Sequence, residues 1–196
     1  MGMPLSRQWT AAEVRALTRE DCPWPRYELI DGELIVTPAP RGPHQYAALE
    51  LALLMAPYLD LIKVGFVLLS PADLELRPGT ITQPDIFVVP TGTERREILP
   101  EWSDIHSLLL AVEVLSPSSL HIDRIVKRDF YLANSVAEYW IVDCDTQTIE
   151  RWRSLQEMPE LCRGLIAWAP LDCEPIVIDL NAMFARIDDK RRRIQR

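Results

Sequence analysis

No run of apolar residues in this chain reaches the roughly 20 needed to cross a bilayer. The most apolar stretches, 105–115 and 139–142, are broken by His106, Ser107 and Glu113 or are short. The opening residues, with Pro4, Arg7 and Gln8 ahead of Trp9, lack the charged-then-apolar pattern of a secretion signal, and a cytoplasmic protein with no membrane association is expected. Cysteine is sparse and irregularly spaced, at Cys22, Cys144, Cys162 and Cys173. Without a C-x-x-C pair or a histidine at matching distance, the spacing argues against a structural zinc site. A Cys162–Cys173 bridge is conceivable, but free thiols in a reducing compartment fit better. Internal repeats and low-complexity tracts are absent too, which excludes a solenoid.

What is present is enough sequence for one domain: 196 residues, 48% hydrophobic and 26% charged. The formal net charge of −8 disfavours tight, non-specific binding to nucleic acid. Basic residues nevertheless cluster at 124–128 and 190–196, and carboxylates that hold divalent cations would themselves add to the negative count.

Thr10 and Glu13 form a capping box that opens a helix to about Leu17. Asp31-Gly32 lies between the strand-like runs 27–30 and 33–37, a hairpin signal. A proline-rich loop leads to a helix over 44–59 with apolar residues at Ala48, Leu51, Leu54, Met55 and Tyr58. Strands are predicted over 64–69, 72–76, 85–89 and 108–115. The polar segment 91–104 reads as a mobile loop, and a helix follows over 123–133. Strands over 138–142 and 148–152 come next, then one or two more and a short closing helix. The order implies an α/β fold, a mixed β-sheet flanked by helices. We divide the chain into a lead-in (1–24), a main domain (25–185) and a basic tail (186–196).

Three segments carry chemistry. Asp85 enters an apolar strand after Gln83-Pro84, and Glu113 is a lone carboxylate inside an otherwise apolar strand. Lys127 lies on the helix that follows. A carboxylate in a buried strand is costly unless it is paired, protonated or bound to metal, so Glu113 needs a partner. Asp85 can supply a second carboxylate if the strands are neighbours. With the main-chain carbonyl of Val114 the two would form a hard oxygen site for Mg²⁺ or Mn²⁺. Such an ion activates water and neutralises charge on a phosphate, and an ammonium at Lys127 would orient the water.

The string Tyr27-Glu-Leu-Ile-Asp-Gly-Glu33, His44, Gln83-Pro84-Asp85, Val112-Glu-Val-Leu-Ser-Pro-Ser118, Asp123, Lys127, Tyr131 and Glu138-Tyr-Trp-Ile-Val-Asp143 resembles the Uma-two family of restriction-endonuclease-like proteins. The resemblance covers residues 25–185. It implies the PD-(D/E)xK nuclease fold, a DNA substrate and a divalent cation, with Asp85 and Glu113 as the motif carboxylates. Glu28, inside a family motif, and His44 would support the metal or the water. Two departures stand out. Leu115 occupies the place of the motif lysine, so the lysine would have migrated to Lys127. Ser135 replaces a turn glycine.

Blander readings exist for each residue. Asp85 could cap a turn, Glu113 could pair with a core arginine, and Asp123 with Lys127 could be an exposed helix pair. Glu28 could be an exposed hairpin carboxylate, and His44 could make only a helix N-terminal hydrogen bond. Tyr131, Trp140 and Trp152 read as core, His106 and His121 as structural or exposed, and 190–193 as solvated. The expected function is a Mg²⁺-dependent endonuclease acting on DNA, as a homodimer. The rivals are an idle binding module that keeps the fold and a nuclease acting on RNA or nucleotides. On this reading Lys127→Ala abolishes cleavage and leaves the fold nearly intact.

Overall fold

The computed structural model describes residues 7–18, 24–91 and 102–194. The capping box opens α1 (Ala11–Arg15): Glu13 N donates to Thr10 Oγ1, and Thr10 N donates to Glu13 Oε2 at 2.9 Å. α1 presses Val14 onto Leu29 and Ile81. The hairpin is β1 (Arg26–Ile30) with β2 (Glu33–Thr37). Asp31 and Gly32 both adopt positive φ, as the tight two-residue turn requires.

A six-stranded sheet follows, in the order β3 (Gly65–Leu69), β4 (Ile86–Pro90), β5 (Leu110–Val114), β6 (Tyr139–Asp143), β7 (Thr148–Trp152) and β8 (Glu160–Cys162). Only β5 and β6 run parallel; the other neighbours are antiparallel, so the sheet is mixed as expected. Strand periodicity sends alternate side chains to two cores. Leu110, Val112 and Val114 of β5 pack toward α2 (Gly42–Ile62) and α4 (Leu180–Ile194). Ala111 joins the opposite core, with Ile30 and Ile35 of the hairpin and with Phe130 and Tyr131 of α3 (Arg128–Ala133). Glu113 shares Ala111's face of the strand and therefore points into that second layer.

Several expectations change. Residues 72–76 make a single backbone bridge, Leu74 to Thr82, although Ala72, Leu74 and Leu76 are buried. Burial gave the segment a strand's periodicity without a strand's pairing. The C-terminal part holds β8, β9 (Leu165–Trp168) and β10 (Ile176–Asp179), the last two a separate hairpin. The stretch set apart as a basic tail continues α4 to Ile194, because Leu180, Met183, Phe184 and Ile187 repeat at helical spacing and pack into the core. The expected mobile loop falls largely outside the described residues. Cys144, Cys162 and Cys173 are free. α2 is long and apolar enough to cross a membrane by length and composition alone. It carries Glu50 and Asp60, and buries Leu51, Met55 and Leu59 against the sheet, as a core helix does.

Ser135, where the family resemblance expects glycine, lies just past the end of α3 at φ 57. A side chain in this left-handed region crowds its own carbonyl. Ser135→Gly is expected to raise stability by about 0.5–1 kcal/mol after the entropic cost of glycine. Urea unfolding would measure it, and an unchanged midpoint would mean that the turn is unstrained.

Candidate active site

β4 and β5 pair with Ile86 opposite Val112, which sets Asp85, just ahead of β4, across from Glu113. After β5 the chain turns through Ser116–Ser119 and re-enters a helix at Leu120 that is π-helical over Ile122–Lys127 before α3 begins. A π-helical turn is rare and recurs at functional sites. Here it lays Lys127 under the hairpin. The Lys127 ammonium lies 2.9 Å from Glu113 Oε1 and 2.9 Å from Glu28 Oε2. Tyr131 donates to the same Glu113 oxygen at 3.3 Å. Glu28 is itself held by the Gln83 N–H, which donates to its Oε1 at 2.8 Å.

Asp85 is gripped from several sides. The Val114 N–H donates to Oδ2 at 3.0 Å, and His44 Nε2 lies 2.9 Å from the same oxygen. Arg26 Nη2 donates to Oδ1 at 2.9 Å. His44 arrives from the first turn of α2, with its Nδ1 buried and without a partner. Asp85, Glu113, Asp123, Lys127, Arg26 and His44 line one cleft, together with Ser116, Ser118 and Ser119.

All five side chains predicted for the site therefore meet. Val114 enters through its N–H. The exposed-pair reading of Asp123 and Lys127 fails, since each is only 3% exposed. Lys127 hydrogen-bonds to Glu113 across the layer. Glu113 pairs with that lysine instead of an arginine. Glu28 is not an exposed hairpin carboxylate but fully buried. Sequence reasoning missed Arg26, although it lies two residues before Glu28 on the same face of β1. It also left Asp123 out, although that residue sits one helical turn before Lys127.

The electrostatics are lopsided. Four buried carboxylates (Glu28, Asp85, Glu113, Asp123) share the permanent cations Arg26 and Lys127. Burial works against the Asp85 charge, but the His44 hydrogen bond, with His44, Arg26 and Lys127 nearby, holds its carboxyl below the usual range. Burial pushes Glu113 well above that range, and Asp85, Asp123 and Glu28 add to the effect against Lys127. Burial opposes the Lys127 charge, yet Glu113 and Glu28 keep the ammonium charged. Asp123 is pushed up to about 6, again chiefly by burial.

Among the described residues no group of three or more His, Cys, Asp or Glu side chains forms a ready ligand set. The donors nevertheless suit a hard divalent ion. They are all oxygens, they carry an excess of negative charge, and they line a cleft.

The Asp123 shift makes a prediction without metal. Its folded pKa lies above the unfolded value, so the folded state binds the proton more tightly. Stability is then lost as pH rises from about 4 through about 6. Asp123→Asn is expected to be more stable than the parent above pH about 7, by up to about 3 kcal/mol, with the difference gone below pH about 4. Chemical unfolding with chelator across that window checks it, and a pH-independent difference would show that Asp123 does not titrate there.

A mixed sheet with two carboxylates at the meeting of its central strands and a lysine beside them defines a protein of the restriction-endonuclease-like class. Residues 11–168 match the sequence profile of the Uma2 family, described as "Putative restriction endonuclease". The chain belongs to that family. It is similar to a crystal structure from Anabaena variabilis described as a "putative nuclease belonging to DUF820". The TM-score is 0.69 at 22% identity, over 91% of this chain and 99% of that one. No protein of curated function matches it.

Proposed function

We propose that this protein is a divalent-metal-dependent endonuclease, using Mg²⁺ or Mn²⁺, that hydrolyses phosphodiester bonds of DNA. The observation that carries this reading is Lys127 between Glu28 and Glu113, beside Asp85, in a cleft. A lysine from the helix thereby stands in for the one absent at Leu115. Asp85, Glu113 and the Val114 carbonyl would hold the ion. When bound, it would supply charge neutralisation at the scissile phosphate and activation of water.

The chain's own groups do the rest. The Lys127 ammonium orients the attacking water and stabilises negative charge as it develops. Glu28 fixes the ammonium, and His44 with the Val114 N–H fixes one oxygen of Asp85. Each protomer would carry one such centre. Cutting both strands therefore favours a homodimer, which sedimentation would test. We place its action in the cytoplasm.

A second reading, an idle binding module, draws on the engagement of both Asp85 oxygens with Arg26, His44 and Val114. A cleavage screen on matched DNA and RNA with Mg²⁺ or Mn²⁺, with Glu113→Gln as control, separates the readings. Metal-dependent DNA cleavage that the variant loses supports the nuclease. Cleavage of RNA alone would move the substrate, and no cleavage of either would favour the module.

A further inference from the structure

Arg26 is a permanently charged group in the cleft that this mechanism leaves unused. It is 5% exposed, and its guanidinium grips Asp85 through Nη2 alone while Nε is buried without a hydrogen-bond partner. An arginine can present two parallel N–H groups to a carboxylate, so this pair is incomplete. The two oxygens of Asp85 are also unequal. Oδ2 accepts from the Val114 N–H and contacts His44, anchors that do not involve Arg26. Oδ1 has Arg26. The guanidinium also lies 4.9 Å from the Trp24 ring centre, an aromatic face that can carry a cation.

From this asymmetry we infer that Arg26 is a counter-ion holding the cation seat at Asp85 Oδ1, and that a divalent ion must displace it to bind. The inference rests on the metal-dependent reading above and adds a competitor to it. Oδ2 stays fixed when the guanidinium leaves, so Asp85 keeps its aim during the exchange. Two cations cannot share one carboxylate oxygen closely without mutual repulsion. Arg26 therefore sets the metal concentration at which the site fills, and it positions no reacting atom itself.

The test is Mn²⁺ binding by calorimetry, with no cleavage assay. Arg26→Met and Arg26→Gln are expected to bind Mn²⁺ at least about tenfold more tightly than the parent, about 1.4 kcal/mol. Arg26→Lys, which keeps the charge, stays within about threefold, a difference of about 0.7 kcal/mol. Equal or weaker binding by the Met and Gln variants, with the parent binding normally, overturns this inference and leaves the nuclease reading standing. Binding by none of the proteins overturns both. Binding by the neutral variants alone supports the competitor strongly. Should the neutral variants fail to fold, the parent still decides. Mg²⁺ titration must move the Arg26 Nε–H signal in the NMR spectrum, and an unmoved signal at saturating Mg²⁺ overturns the proposal.

Discussion

Lys127→Ala is expected to lose cleavage by about 10²-fold or more and stability by about 3–5 kcal/mol at once. On the proposed mechanism the first loss follows from removing the ammonium that would stabilise charge formed during the reaction. The second follows from burial. Glu28 is fully buried and Glu113 nearly so, and the lysine lies within 2.9 Å of both. Without it two carboxylates would face each other in the core with no cation between them. Part of the penalty escapes as protonation, since Glu113 already has a raised pKa. The sequence alone suggested that Lys127→Ala would spare the fold, because a lysine that stabilises the transition state need not hold the ion or the core. The geometry reverses that expectation. Lys127→Arg keeps the charge and should recover stability more than rate, since a planar guanidinium does not replace a compact ammonium beside a water. Urea unfolding and single-turnover cleavage measure the two effects separately. A Lys127→Ala protein as stable as its parent would show that the buried triad holds no net energy.

The elements that were legible from residues alone are those where pattern and environment agree. Thr10 with Glu13, Asp31-Gly32 and the apolar runs of β4, β5 and β6 each state their local structure directly. Glu113 announced itself by chemistry, because one carboxylate among apolar neighbours must find a partner. Arg26 and Asp123 were hidden for a different reason. Each is a charged residue near other charged residues, Glu28 for Arg26 and Arg124 with Lys127 for Asp123, and nothing in that local pattern marks it as buried. Lys127 was the candidate ammonium for the carboxylate pair, and its direct contact with Glu113 depends on how far the 116–119 turn carries the chain back. Residues 72–76 failed in the opposite direction: a buried alternation can serve a loop as well as a strand. Family resemblance left these gaps open but linked Glu28 and His44 to the site before any contact was known.

The sharpest test of the proposed lysine migration is to place a lysine at 115. Leu115 follows β5, and alternation sets it on the face of Ala111 and Glu113. It is partly buried against the cluster that contains Phe130 and Tyr131. A lysine placed there would leave the strand end on the side of the carboxylates, and methionine at 127 would fill the space of the departed stem. The single variant Lys127→Met is expected to be unstable and inactive, for the reasons given for alanine. The double variant Leu115→Lys/Lys127→Met is expected to recover at least half of the lost stability. It should also cleave at least about tenfold faster than the single variant, about 1.4 kcal/mol of barrier. Recovery of both quantities means that the site needs an ammonium at a point in space, whichever element delivers it. Recovery of stability alone would assign the lysine to charge balance and remove it from the reaction. If the double variant recovers neither, an ammonium at 115 does not reach Glu113, and the helix position is then a requirement of this fold and not a substitute for the strand position.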